Sequence, residues 1–182
     1  MSDAARDFRE AFTLRRGGEA VVRAIRPDDR DRLQAAFHAL DPESVYLRYF
    51  SYKHELSEAD LDRLCDPDFR ERVVLIVTQA TDAGEIIIGA GGYVAHTATD
   101  GVRAAEVAFA VEEDVQGQGI SGRLVEVLAG LARADGIERF VAEVLARNAA
   151  MLRVFERSGL PMEVSAEEDG VVGVRLALTP AL

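Results

Sequence analysis

The chain has 182 residues, 21 basic and 32 acidic side chains, a net charge of −11 and a single cysteine, Cys65. That length suits one domain with a full core. The acidic balance repels phosphate backbones and excludes general nucleic-acid binding, and a lone cysteine excludes an internal disulfide and fits a reducing, cytoplasmic setting. No apolar run approaches the roughly 18 residues of a membrane span, and no basic-then-apolar leader opens the chain, so neither membrane insertion nor secretion is expected.

Residues 1–19 mix Arg, Asp, Glu and Gly without a clean period and read as an N-terminal arm, leaving 20–182 as the domain. A short strand is expected at 21–25. Pro27-Asp28-Asp29 then offers a turn and cap for a helix whose Leu33, Ala36, Phe37 and Leu40 share one face. Asp41-Pro42 caps a second helix carrying Tyr46, Leu47, Tyr49 and Phe50. Ser57-Glu58-Ala59-Asp60 resembles a capping box with Asp in place of Glu, ahead of Leu61 and Leu64.

The next part is β-rich. Strands are expected at 72–78, 85–95 and 103–111, with Asp82-Ala83-Gly84 as a hairpin turn and Asp100-Gly101 as another. Gly89, Gly91 and Gly92 suggest a bulge or a close backbone approach. A helix over 119–135 puts Leu124, Val127, Leu128 and Leu131 on one face and stops at Gly136. A strand at 138–145 follows, then a helix at 148–158 capped by Asn148 and stopped by Gly159, then strands near 162–165 and 171–178. The order β-α-α-β-β-β-α-β-α-β-β implies an α/β domain with a mixed sheet.

The chemistry points to 111–123. Gly117, Gly119 and Gly122 let backbone N–H groups approach a ligand, and they open a helix whose first N–H groups lack partners. Such an end favours an anion, with a diphosphate as the natural candidate. Glu112, Glu113 and Asp114 stop just before the turn, no acid lies between Gln116 and Val125, and Arg123 adds a positive charge. A glycine turn without a ligand remains the plain alternative. Residues 117–122 also spell the GxGxxG dinucleotide fingerprint, but three acids separate it from the strand, and too little chain follows for a doubly wound sheet.

Gln116, Gly119 and Ser121 resemble the Q/R-x-x-G-x-G/A signature of the GNAT acetyltransferases, and 148–159 (NAAMLRVFERSG) is similar to the family's second cofactor motif. Three stretches, 42–51, 105–109 and 142–161, resemble the GNAT module of bacterial protein lysine acetyltransferases, enzymes that modify acyl-CoA synthetases. The resemblance implies a GNAT fold and acetyl-CoA as cosubstrate. It implies a pantetheine arm along Phe109, Ala110 and Val111, and a diphosphate on the N–H groups of Gln116, Gly117, Gln118, Gly119, Ile120, Ser121, Gly122 and Arg123. Asn148, Leu152 and Phe155 would flank the arm, and a strand N–H near Phe109 or Ala110 would polarise the acetyl carbonyl. Two departures stand out: Ser121 replaces Gly or Ala, and Phe155 replaces a Tyr that protonates the leaving thiolate. The synthetase-like or cyclic-nucleotide-binding domain often fused to this module is not found in the sequence, so that form of regulation is not expected.

The acceptor is an amine, by this resemblance a protein lysine. A free lysine has a pKa near 10.4, so deprotonating it at neutral pH costs about 4–5 kcal/mol, and a positioned base contributes about 10²–10⁴-fold. Glu106 is the candidate general base: strand alternation sets it among Ala104, Ala108 and Ala110, and the resemblance maps the catalytic glutamate here. Pairing with Arg103 is its structural alternative. Glu143 is the rival acid, read as structural. His38, His54, His96 and Cys65 suggest neither metal site nor nucleophile. Arg48, Tyr46, Tyr49 and Tyr52 fall near the expected acceptor entrance. A small-amine acetyltransferase and a non-catalytic acetyl-CoA-binding module are the competing functions.

Overall fold

The structure, a computed structural model, describes residues 4–49, 53–111 and 115–178. Among these, strands β1 (Arg9–Thr13), β2 (Glu19–Ala24), β3 (Arg72–Thr81), β4 (Gly84–Thr97), β5 (Arg103–Val111), β6 (Arg139–Leu145), β7 (Met162–Val164) and β8 (Val171–Ala177) form one sheet in the order β1-β2-β3-β4-β5-β6-β8-β7. Helices α1 (Arg30–Ala39), α2 (Pro42–Tyr49) and α3 (Glu58–Cys65) lie between β2 and β3. Helix α4 (Ile120–Ala134) joins β5 to β6, and α5 (Ala149–Arg157) joins β6 to β7. The mixed α/β sheet is the expected one, with a third helix and one more strand than the expected order.

That extra strand corrects the reading of residues 1–19 as an arm. β1 pairs with β2 at all five of its positions, and Ala5 and Leu14 on either side of it are buried. As an edge strand it covers little core. Only Phe12 is half-buried, so its sequence carries no apolar alternation.

β3 and β4 are joined by the expected tight turn, with Thr81 opposite Gly84. The register slips between Val77 and Thr78, which sit opposite Gly89 and Ile87, so Ile88 is the bulged residue. Close approach explains the neighbouring glycines. A Cβ on Gly89 would lie 2.9 Å from Ile120 Cγ2, and one on Gly91 only 2.6 Å from Phe109 Cδ1. Bare backbone at these points seats both the first turn of α4 and the ring of Phe109 against β4. The helix then buries Ile120, Leu124, Val125, Val127, Leu128, Ala129 and Ala132.

The helical caps follow local chemistry. Asp41 Oδ1 accepts from Ser44 N at 2.7 Å. Ser57 Oγ accepts from Asp60 N at 3.1 Å, while Asp60 Oδ2 accepts from Ser57 N at 2.9 Å, completing the capping box. Asp29 departs from its expected capping role. It stands before α1 without capping the helix backbone, takes a 3.3 Å ion pair from Arg32 on that helix, and turns inward to Arg23. Both guanidinium arms donate to its carboxylate at 2.8 Å, one arm also reaches Glu85 Oε1 at 2.5 Å, and Arg26 N donates to Asp29 Oδ2 at 2.8 Å. Arg23 and Asp29 are 3% and 0% exposed, so these charges persist only because each satisfies the other. Burial pushes the Asp29 carboxyl up, but the hydrogen bonds from Arg23 and Arg26 outweigh it and hold the group below its ordinary 3.8.

Candidate functional site

β5 and β6 run parallel and pair at Ala104–Arg139, Ala105–Phe140 and Glu106–Val141. Beyond Glu106 they part. β5 continues along β4 as far as Val111, and β6 along β8 as far as Leu145. The result is a wedge between two strands in the middle of the sheet. The Arg103 carbonyl accepts from Glu138 N at 2.9 Å, so it faces β6. β5 keeps an unbroken register with β4, and alternation therefore turns the N–H groups of Val107 and Phe109 to the β6 side; that of Val107 serves the last rung of pairing, Glu106–Val141, and that of Phe109 opens into the wedge. Of the two expected carbonyl polarisers, Phe109 faces the wedge, whereas the N–H of Ala110 points to β4.

The wedge opens into a cleft of about 1200 Å³ that reaches the start of α4 and one face of α5. A second cavity of about 420 Å³ lies under α1 and α2 and shares Leu40, Arg48, Tyr49, Glu106, Ala108 and Ala110 with the first. Glu106 stands where the two meet. It is exposed, and among the described residues it has no ion-pair or hydrogen-bond partner. Arg103, its expected structural partner, pairs instead with Glu71 at 2.8 Å. Glu143, opposite Gly173 on β8, also lines the cleft without an ion pair among the described residues.

At the far end of the cleft, α4 begins at Gly119, whose φ of 91° is left-handed and natural to glycine. No side chain caps this end and no acid lies in its first turn. The N–H groups of Ile120, Ser121 and Gly122 have no partner among the described residues, and the first bond is that from Arg123 N to Gly119 O at 3.0 Å. Space is open where a Cβ on Gly122 would stand. Six arginines (Arg15, Arg48, Arg123, Arg133, Arg153 and Arg157) line the cleft against three glutamates (Glu106, Glu126 and Glu143). The cleft is thus locally positive in a chain of net charge −11.

The side chains around this end differ from expectation in two places. Arg123 is not a free cation: it pairs with Glu10 on β1 and with Glu126 at 2.8 Å. Gln118 is buried, its Oε1 accepts from Arg16 N at 2.8 Å, and its own carbonyl accepts from Arg15 N at 3.2 Å. Its side chain therefore anchors the β1–β2 turn. Gln116 Nε2 donates to the carbonyl of Val111 at 3.2 Å, tying the loop to the end of β5. Glu112, Glu113 and Asp114, read as the acids ahead of the turn, lie outside the described residues, as do Phe50 and Tyr52.

On α5, Asn148 Oδ1 caps the helix by accepting from Met151 N at 3.2 Å. Asn148, Met151, Val154 and Phe155 face the cleft, whereas Leu152 falls off its lining. Its neighbours Met151 and Val154 occupy the stripe of α5 that lines the cleft. Phe155 is 1% exposed and meets the ring of Phe109 edge-on, with centroids 6.1 Å apart. This pair locks α5 onto β5 and supplies no proton donor.

The remaining candidates fall away from the cleft. Burial pushes the Cys65 thiol up to about 11, which leaves it inert. His38, His54 and His96 are exposed and outside both cavities. Tyr46 stacks under the Arg147 guanidinium at 5.2 Å. Among the described residues no cluster of His, Cys, Asp and Glu would hold a metal ion.

A sheet splayed at its parallel pair, beside an uncapped and acid-free helix end, defines an α/β protein shaped for an extended ligand with an anionic end. The model of the acetyltransferase (GNAT) domain matches residues 20–161, and the chain belongs to that family of acetyl-CoA-using acetyltransferases. Over 170 residues it is 32% identical to the acetyltransferase Pat of Mycolicibacterium smegmatis, covering 92% of this chain and 48% of that protein. The chain therefore spans about half the length of that relative. The crystal structure of the GNAT domain of S. lividans PAT superposes with a TM-score of 0.81 at 36% identity, covering 93% of this chain and 96% of that one. A cAMP-binding acyltransferase from Mycobacterium smegmatis matches with a TM-score of 0.62 at 28% identity, covering 98% of this chain and 49% of that one.

Proposed function

We propose that this chain moves the acetyl group of acetyl-CoA to the ε-amine of a protein lysine, with Glu106 as the general base. The carrying observation is Glu106 itself: an acid without a partner among the described residues, at the junction of two cavities, three residues from the strand N–H of Phe109.

Acetyl-CoA supplies an acetyl group as a thioester, and the residues present fit it. The wedge offers the strand N–H of Phe109, beyond the last β5–β6 rung, to an amide-bearing arm. The N–H groups of Ile120, Ser121 and Gly122 offer a diphosphate site where no acid competes. Ser121, which departs from the family signature, gives its backbone N–H and loses nothing there. Phe109 N–H polarises the thioester carbonyl, a role that strengthens as negative charge gathers on oxygen. Glu106 removes the proton that makes lysine a poor nucleophile near neutral pH. Phe155 holds no proton, so water returns one to the departing thiolate.

The lysine acceptor rests on the resemblance of 42–51, 105–109 and 142–161 to protein lysine acetyltransferases, and on the likeness to Pat and to the GNAT domain of S. lividans PAT. An acyl-CoA synthetase is the acceptor to try first. In a test with acetyl-CoA and such a synthetase, read by mass spectrometry, acetyl-lysine is expected on the synthetase. Glu106→Gln is expected to lower kcat/KM by about 10²-fold while acetyl-CoA affinity holds. A Glu106→Gln protein as active as the wild type would remove the base assignment. Labelled small amines in place of labelled protein would move the acceptor class.

A further inference from the structure

We infer that Arg15, on the turn between β1 and β2, supplies the cation that closes on the diphosphate of coenzyme A. This rests on the acetyl-CoA reading above and adds to it a residue from outside the family motif.

The turn is rigidly placed. Leu14 N donates to Gly18 O at 3.0 Å and Gly17 N to Leu14 O at 2.9 Å, which closes the turn on itself. Gln118, only 8% exposed, then holds it from the other side by accepting from both Arg15 N and Arg16 N. A segment more than a hundred residues away in sequence is thereby pinned to the loop that opens α4.

From that anchor the Arg15 side chain runs over the helix end. A Cβ on Gly119 would lie 3.5 Å from Arg15 Nε and 3.8 Å from its Cγ. Arg15 lines the same cleft as the first-turn residues, and among the described residues its guanidinium has no ion pair or hydrogen bond. The neighbouring arginine differs. Arg123 is held by Glu10 and Glu126, so its charge is already answered. Of the two guanidinium groups at this end, Arg15 is the one left facing the cleft without a counter-ion.

An unpaired guanidinium beside converging backbone N–H groups suits an anion that offers several oxygens at once. Its position over Gly119, next to the N–H groups of Ile120 and Ser121, directs it to the diphosphate proposed for that helix end. β1, an edge strand with little part in the core, is on this account a cofactor-binding element.

Titration calorimetry with coenzyme A and with 3′-dephospho-coenzyme A tests the assignment without relying on turnover. Arg15→Gln is expected to weaken coenzyme A binding about tenfold, the loss of one charge-assisted contact. Arg15→Lys should restore part of it. Arg16→Gln, which removes the same net charge one residue away, should stay within about twofold. The Arg15→Gln loss should persist with the dephospho form. The anchor uses the Arg15 main chain, so thermal unfolding of both variants should match the wild type. Equal binding by wild type and Arg15→Gln would overturn the inference, and so would a loss that disappears with 3′-dephospho-coenzyme A. If the wild type ignores coenzyme A at millimolar levels, the acetyl-CoA reading falls and takes this inference with it.

Discussion

On the β2 side of the sheet, Arg23 and Asp29 close on each other in a buried pair, with the half-buried Glu85 on the same guanidinium. At the parallel strand pair, Glu106 stands at the mouth of two cavities without a partner among the described residues. Both sites place a carboxylate on or against the central sheet, yet physics assigns them opposite work. In the first, removing Asp29 or Arg23 leaves the other charge in a dry place without its main counter-ion. In the second, the acid is solvated, its β-face neighbours Ala108 and Ala110 are small, and nothing structural depends on its charge. Pairing and burial mark the charges that hold the fold, and exposure without pairing, at the junction of two cavities, marks the acid proposed as the base.

The sharpest way to break this contrast is to cut the closed site. Asp29→Ala is expected to cost about 3–5 kcal/mol in denaturant unfolding, because Arg23 stays buried without its main counter-ion. Glu106→Gln should shift the same measurement by no more than about 0.5 kcal/mol, as for a surface change. Equal losses at both positions would erase the distinction.

Acid titration of stability gives a second, smaller effect. Asp29 is held below its ordinary 3.8. Asp60 is also held well below its ordinary value, first by Lys53 at 2.5 Å and then by its bonds with Ser57. A depressed carboxylate contributes stability that is complete above its ordinary value and drains as pH falls through the lowered one. Unfolding free energy should therefore decline below about pH 4, and Asp29→Ala should flatten that decline. A stability curve indifferent to pH in this range would contradict the arrangement.

The smallest effect separates the two cleft acids. Glu143 lies on β6, across the wedge from β5. Glu143→Gln should change kcat/KM by less than about threefold, far short of the loss at Glu106. A larger drop at Glu143 would make it the base.

Local signals made much of this molecule legible in the sequence. β5 has the expected bounds, α4 stops just before the left-handed Gly136, and the Ser57 capping box forms, because apolar periodicity, glycine stops and cap residues act within a few positions. What stayed hidden depends on partners far along the chain. β1 carries one half-buried ring and reveals itself only by pairing with β2. Arg123 reads as a free cation until β1 brings Glu10 to it, and Asp29 reads as a cap until Arg23 turns it inward. The wedge has no sequence mark at all: Val107–Val111 looks like the rest of β5, and only the end of pairing after Val141 creates it. The stripe that α5 turns to the cleft, Met151 and Val154 but not Leu152, is likewise set from afar, by Phe109 against Phe155.

The central claim is that the wedge and the helix end together hold acetyl-CoA. Amide hydrogen exchange, resolved to single residues and compared with and without acetyl-CoA, tests it most directly. Exchange is predicted to slow at Phe109 and at Ile120, Ser121 and Gly122, with β1 through β3 little changed outside the Arg15 turn. Unaltered exchange at those four amides under saturating acetyl-CoA would contradict the account.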